Sequence, residues 1–326
     1  MNRSAAAALA LAMLTAACAR EPRPAARVGA TTSEGTSPPR NEPPRPDAAR
    51  PAVPLGQAEA RAYGLSLINR DRAAAGLAAV KLDDVASIAA LRHVRDLVAH
   101  GVTAHWGTDG SVPEQRYTEA GGQDLATENV ACYADARART VDDRGPFAPI
   151  AIERFQSAFM AEVPPADGHR KNILGPSHTK VGLAYAMAPG SDVVCVVQEF
   201  VDDYGTYGAL PREAKQGQSI RVTGEIRAPA TFGGVGLARI GLPTPRTPEE
   251  LLKTGGYTMP DPAIAYFPKG FKTPKPVDLD GPRFAIDLPL TGVSGPGLYE
   301  IQIFVKLPGG EPGKLVPVSL RTVRVP

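Results

Sequence analysis

Four acid–base side chains stand out along this chain: His105 in "TAHWGTDG", Glu128 in "ATENVACY", Glu162 in "FMAEV" and His169 in "PPADGHRKNIL". Two neutral imidazoles can ligate a divalent transition metal, zinc in particular, while two carboxylates orient the ring N–H groups or complete the shell. A metal on His105 and His169 with open positions would lower the pKa of a bound water for hydrolysis, with Glu128 or Glu162 as general base. The same four groups can equally hydrogen-bond one another and brace the joints between helices and strands. His169 poses that choice in one residue. It follows a glycine and opens a basic, then apolar, helix-like run, which suits a cleft residue or a capped surface histidine, with Asp167 as the cap.

Sharper signatures are missing. The chain has no HExxH, GxSxG, Walker loop, strand-borne dinucleotide fingerprint or CxxC. Ser177 and His178 are neighbours in "SHTK", but adjacent residues on an extended chain point to opposite faces and make a poor nucleophile–base pair. His100 and His178 read as surface residues, and His93 as a core-edge residue of a helix.

The elements that must carry the four residues are legible in the region from Leu55 to Gly205. "QAEARAYGLSLINRDRAAAG" places Ala60, Gly64, Leu67 and Ile68 at helical spacing, with Gly76 suited to the C′ position. "DDVASIAALRHVRDLVAHG" repeats the form: Asp83 or Asp84 caps it, Val85, Ile88, Leu91, Val94 and Val98 recur, and Gly101 stops it. "IAIERFQSAFMAEV" is a third helix, with Ile152, Phe155, Phe159 and Val163 near one face. "KVGLAYAM" and "DVVCVVQEFV" read as strands, the second so continuously apolar that it must be covered on both sides. Helices on both faces of a small sheet follow.

The two ends differ in character. "MNRSAAAALALAMLTAAC" joins one Arg to an apolar run too short to span a bilayer, which makes it a cleavable export signal. Its ending resembles a bacterial lipobox, although Thr15 replaces the usual large apolar residue. That resemblance implies lipidation of Cys18 and anchoring to a membrane, since each buried methylene adds about 0.8 kcal/mol. Ala19, rather than Asp, after Cys18 points to the outer membrane where the host has one. Residues 19–54 contain nine prolines and no aromatic residue, too little apolar surface to order, and form a tether reaching roughly 100 Å. Export makes a Cys132–Cys195 disulfide the default reading of the remaining pair. The alternative is a cysteine nucleophile with His105 or His169 as base.

From residue 216 to 326 the runs "SIRVTGEIRAP", "GGVGLARIGL", "PRFAIDLPL", "GLYEIQIFVKLP" and "KLVPVSLRTVRVP" are short, several of them alternating, and separated by Gly and Pro. They predict an antiparallel β-sandwich, with "TPEELLKTG" as its one helical signal. This part contains no His and no Cys, so it reads as a binding or spacer module. Across all 326 residues the formal net charge is +2, with acidic and basic residues interspersed, which gives no reason to expect a nucleic-acid partner.

The quoted segments, in this order, resemble the CAP superfamily of cysteine-rich secretory, antigen-five and pathogenesis-related proteins, in its bacterial SCP-like lipoprotein form. "INRDRAAAGLAAVKLDDVASIAALRHVRDL" is similar to the first two helices and their turn, and "AHWGTDGSVPEQRYTEAGG" to the His-and-Gly loop. "ENVA" resembles the "GENIA" strand, "ADGHRKNIL" the "SPGHRANIL" turn, and "SHTKVGLAYA" occupies the place of the Gly-containing strand. The resemblance covers roughly residues 60–205. It implies an α/β fold, an α–β–α three-layer sandwich at 55–205 followed by the β-sandwich, with His105, Glu128, Glu162 and His169 lining one cleft. Glu162 matches through "FMAE", where animal and plant members have a Trp-headed segment, so Phe159 stands in for Trp. "YADARARTVDDRGPFAP" is longer than usual and would reshape the cleft mouth. The function implied is a membrane-anchored extracytoplasmic module that binds a lipid, a sterol or another small apolar ligand, or an envelope component. The alternative is a peptidase-like hydrolase assisted by Zn²⁺ on the same residues. A third reading makes the β-domain an adhesion surface, removable without unfolding the first domain.

Overall fold

The computed structural model describes residues 50–311 and 313–326. The signal segment, Cys18 and the tether up to residue 49 lie outside the described residues. Among the described residues no helix is long and apolar enough to cross a membrane.

The first domain runs α1 (Gln57–Ala74), β1 (Lys81–Leu82), α2 (Asp84–His100), α3 (Pro113–Glu119), β2 (Leu125–Ala131), α4 (Pro149–Met160), α5 (Gly168–Ile173), β3 (Lys180–Met187) and β4 (Val194–Asp202). The sheet order is β1-β3-β4-β2. Every residue of β4 is buried, as its unbroken apolar run requires of a strand with neighbours on both edges and layers on both faces. The two-residue side-chain period sorts the core. Leu183, Tyr185 and Val196 pack with Ile68, Ile152 and Phe159 from α1 and α4. Ala184, Ala186 and Val197 pack with Val94, Leu97 and Val98 from α2. The layers are therefore α–β–α.

Local signals set the helix ends. Asp83 caps α2 by accepting from the Ala86 N–H at 2.7 Å, and Gly101 closes it in the left-handed region at φ 63°. Gly182 in β3 lets α2 come close: a Cβ there would lie 2.2 Å from the Ala86 carbonyl carbon. Two expected face residues point elsewhere. Ile88 is 58% exposed, because the buried stripe of α2 runs through Ala86, Ala89, Ala90 and His93. Val163 is 65% exposed, because α4 ends at Met160, short of it.

The second domain comprises β5 (Gly205–Tyr207), β6 (Ser219–Ile226), β7 (Thr231–Ile240), α6 (Pro248–Leu251), β8 (Ile264–Tyr266), β9 (Asp278–Asp280), β10 (Arg283–Pro289), β11 (Gly297–Lys306) and β12 (Val316–Val325). Two antiparallel four-stranded sheets, β5-β6-β10-β9 and β12-β11-β7-β8, enclose Val222, Ile286, Leu288, Val235, Leu237, Ile301 and Ile303 in one core. Tyr207 and Ala214 belong to that core, so the sandwich begins ahead of residue 216.

The domains are fastened together along their length. Ser319 Oγ donates to the Gln123 carbonyl at 2.5 Å, the Thr322 N–H donates to Thr118 Oγ1 at 3.2 Å, and the Arg246 N–H donates to the Thr108 carbonyl at 2.8 Å. Leu251 of α6 is fully buried in the apolar cluster of α2, alongside Val94 and Leu97. This packing does not fit a detachable spacer. The helical signal in "TPEELLKTG" is an arm set into the first domain, begun by a reciprocal capping box between Thr247 and Glu250.

Candidate functional site

A cavity of about 360 Å³ is lined by His105, Glu128, Glu162 and His169 together. The loop after α2 brings His105, β2 brings Glu128, the turn after α4 brings Glu162, and α5 brings His169.

Each imidazole is held by one carboxylate. His105 Nδ1 lies 2.9 Å from Glu128 Oε1, and His169 Nδ1 lies 2.5 Å from Glu162 Oε1. An ionised carboxylate can only accept, so each Nδ1 carries the hydrogen and each Nε2 is left for the cavity. Glu162 Oε2 also accepts from the His169 N–H at 2.9 Å, which fixes the start of α5 together with the ring. Phe159 stacks on the His169 ring at 4.4 Å between centroids.

α5 is secured from behind by amides. Thr127 Oγ1 donates to Asn172 Oδ1 at 2.7 Å, Asn172 Nδ2 to Asn129 Oδ1 at 3.0 Å, and Asn129 Nδ2 to the His169 carbonyl at 3.2 Å. Ile173 beneath them is fully buried. Asp167 makes no side-chain cap; it pairs with Lys171 at 2.8 Å instead.

Glu128 is the electrostatic centre. Arg116 of α3 donates to Glu128 Oε2 at 2.7 Å and to the carbonyls of Ser111 at 2.8 Å and His105 at 3.0 Å. One guanidinium thus ties the His105 loop to the Glu128 strand. Burial alone would raise the Glu128 carboxyl, but the Arg116 charge, with His93 and His105, outweighs it and holds Glu128 well below the usual carboxylate range. Burial, reinforced by Arg116, pushes the His93 imidazole down to about 4. His93 is therefore neutral near pH 7, and its 3.8 Å approach to Glu128 is not an ion pair. Its Nε2 hydrogen-bonds the Ala104 carbonyl at 2.8 Å, steadying the residue beside His105.

Sequence reasoning missed Arg116, whose "PEQRYTE" setting looks like a solvated helix. The signal was Glu128 itself, since an acidic residue in an apolar strand needs a buried counter-charge. It also placed His178 at the surface. His178 is 8% exposed, and its Nδ1 lies 2.6 Å from Asp202 Oδ1, while Ser177 Oγ donates to Asp202 Oδ2 at 2.9 Å. Both neighbours reach one acceptor, which braces the start of β3. Cys132 and Cys195 are joined in a disulfide, directly across the β2–β4 pair next to Ala131 and Val196.

The donor set falls short of a metal centre. Both carboxylates are spent on imidazole N–H groups, which leaves two ring nitrogens where a catalytic zinc takes three protein ligands. Among the described residues no three His, Cys, Asp or Glu side chains group so as to hold a metal. What remains is chemically a pair of oriented imidazoles in a mixed cavity. Phe155 and Phe159 from α4, Ala126 and Val130 from β2, and Tyr257 and Met259 from the second domain give it apolar wall, and Thr103, Thr127, Asn129, Lys171 and Asn172 add polar groups.

Residues 65–200 match the family described as CAP, the cysteine-rich secretory protein family. A crystal structure of an extracellular protein containing an SCP domain, from Bacillus anthracis str. Ames, is similar at 18% identity with a TM-score of 0.33. That alignment covers 45% of this chain and 41% of the Bacillus chain, less than half of either. A search of curated proteins gives no match.

Proposed function

We propose that this chain, whose residues 65–200 match the cysteine-rich secretory protein family, is an exported, lipid-anchored envelope protein of that family whose His/Glu cavity binds a small ligand. The ligand has an apolar body and a hydroxyl or acidic group. The observation that supports this most is the contrast inside the cavity. Two imidazoles, each oriented by a carboxylate, face a space with an apolar wall of Phe155, Phe159, Val130, Tyr257 and Met259. A few convergent polar groups in an apolar pocket are what fix the orientation of a small ligand. Export and anchoring rest on the signal-like segment and Cys18, with the disulfide as a companion of an oxidising compartment.

Denaturing extraction of the purified protein followed by mass spectrometry tests the binding reading. Co-purifying molecules in wild type that are depleted in His169→Ala support it, and wild type that is empty and unresponsive to added amphiphiles overturns it. Membrane fractionation of Cys18→Ser tests the anchor; a variant that stays in the membrane fraction overturns it.

Hydrolysis is served less well by this geometry. A general base works best with a pKa near the operating pH. Glu128 is held far below that by Arg116, and Glu162 is occupied by two N–H groups of His169. An imidazole, rather than either carboxylate, would have to take the proton.

A further inference from the structure

The second domain supplies part of the ligand cavity, and the segment that does so is built for the purpose. It begins where Gly110 meets Thr244: a Cβ on Gly110 would fall 2.2 Å from the Thr244 carbonyl oxygen. Arg246 then covers the Trp106 ring at 5.3 Å, one residue after His105. α6 follows, with Leu251 locked into the α2 core and Thr254 Oγ1 donating to the Leu251 carbonyl at 2.6 Å. From Thr254 the chain runs along the cavity to Met259. Tyr257 places its ring edge-on to Trp106 at 5.3 Å, and its hydroxyl donates to Glu114 of α3. Beyond the cavity Gln302 Nε2 donates to the Pro260 carbonyl at 2.9 Å, which returns the arm to the sandwich.

Both ends of this stretch are pinned, its aromatic anchor is shared with the His105 loop, and its two large side chains reach the cavity. Tyr257 is fixed by its contacts with Trp106 and Glu114 and makes a rigid wall. Met259 has a flexible, polarizable side chain that adapts to what lies against it. We propose that the arm 244–260 is the specificity element of the His/Glu cavity, with Met259 setting how much apolar ligand fits and Tyr257 positioning the wall. This rests on the binding reading above and goes beyond it. The two domains form one site, and the β-sandwich selects the ligand rather than spacing the first domain from a partner.

The test is a titration of the full folded chain with 8-anilinonaphthalene-1-sulfonate, an apolar body with an anionic group, followed by displacement with straight-chain alkanoates of graded length. Wild type, Met259→Trp, Met259→Ala, Tyr257→Phe and His169→Ala are compared after circular dichroism shows each to be folded. Filling the pocket with Met259→Trp is expected to weaken the longest alkanoate that wild type accepts by about tenfold or more, the effect of a methylene or two in an apolar pocket. The shortest alkanoate should be affected less, and Met259→Ala should shift the preference to longer chains. Tyr257→Phe should blunt the length preference while keeping the ring. A change in the order of preference is something general destabilisation does not produce. If wild type binds, His169→Ala weakens binding, and both Met259 variants keep the wild-type order, the specificity inference is overturned while the binding reading stands. If wild type binds neither dye nor alkanoate, both fall.

Discussion

Glu128 and Glu199 face each other across the β2–β4 pair, and their surroundings push the two carboxyls in opposite directions. Glu199 is fully buried and neither of its oxygens receives a donor. Burial, with the Glu128 charge beside it, pushes its pKa well up, which favours the neutral acid at this position. Arg116 has one charge to give and gives it to Glu128. Glu114 is buried in the same neighbourhood and is also pushed up by its burial. One guanidinium thus faces more carboxyls than it can neutralise, which favours the neutral form of those it does not touch.

That asymmetry separates two isosteric substitutions. Glu199→Gln leaves the folded-state charge unchanged and removes the need to protonate an acid on folding, so at neutral pH it should leave stability unchanged or raise it. Glu128→Gln strands the buried Arg116 and should cost about 3–5 kcal/mol. Urea unfolding at neutral pH checks both; equal effects would refute the assignment. The raised Glu199 carboxyl makes the fold lose stability as pH climbs above the ordinary carboxylate range, so Glu199→Gln should melt higher than wild type in alkaline buffer. The depressed Glu128 carboxyl contributes stability above pH 4.5 that drains away as pH falls below it.

A second pH effect belongs to the domain junction. Burial, then the neighbouring Asp203, raises Asp124 to about 7. Burial, then Glu114, raises Glu300 to about 9. Raised carboxyls favour folding when protonated, so their contribution is complete below about pH 4 and is lost as pH rises through those two values. Hydrogen exchange at Leu320 and Thr322, which lie against Asp124 and Thr118, should accelerate between pH 6 and pH 9 beyond the intrinsic rate. Asp124→Asn should remove the lower step. A flat profile in wild type would contradict this.

The Cys132–Cys195 bond closes a loop with a sequence separation of 63. Replacing both residues with Ser should cost about 2–4 kcal/mol. Alkylation of the denatured protein should label these positions only after reduction, and labelling without reductant would refute the bond.

Leu251 gives a mutational handle on how far the domains depend on each other. Leu251→Ala opens the α2 cluster from a residue outside the first domain and should cost about 2–5 kcal/mol. Removing residues 216–326 takes away that side chain, Tyr257 and the covers of Gln123 and Thr118. The remaining fragment should be insoluble or bind 8-anilinonaphthalene-1-sulfonate at its exposed junction. A soluble, cooperatively melting fragment would count against the interlocked reading.

How much of this was legible in the sequence depends on the range of the interaction. Helices α1, α2 and α4, strands β3 and β4 and the five long strands of the sandwich follow from periodicity and from Gly and Asp stops, which act within a few residues. The order of quoted segments resembled a family closely enough to name His105, Glu128, Glu162 and His169, and the structure brings those four to one cavity. Arg116, His93 and Glu199 were not legible as parts of the same network. Their roles depend on which charges share a buried space, and nothing local marks that. The arm was visible only as an isolated helix signal, because neither Leu251 nor Tyr257 announces that its neighbours belong to another domain.

Arg50 pairs with Glu153 of α4 through two hydrogen bonds, Tyr63 donates to the same carboxylate, and Leu55 exchanges backbone hydrogen bonds with Phe147 just before that helix. α4 also carries Phe155 and Phe159 into the cavity. Any mechanical pull on the chain ahead of Arg50 would therefore be transmitted to the helix that shapes the pocket. The same pull would reach the sheet through Gln57, whose side-chain amide exchanges hydrogen bonds with the Tyr185 backbone, so pocket helix and sheet would be loaded together.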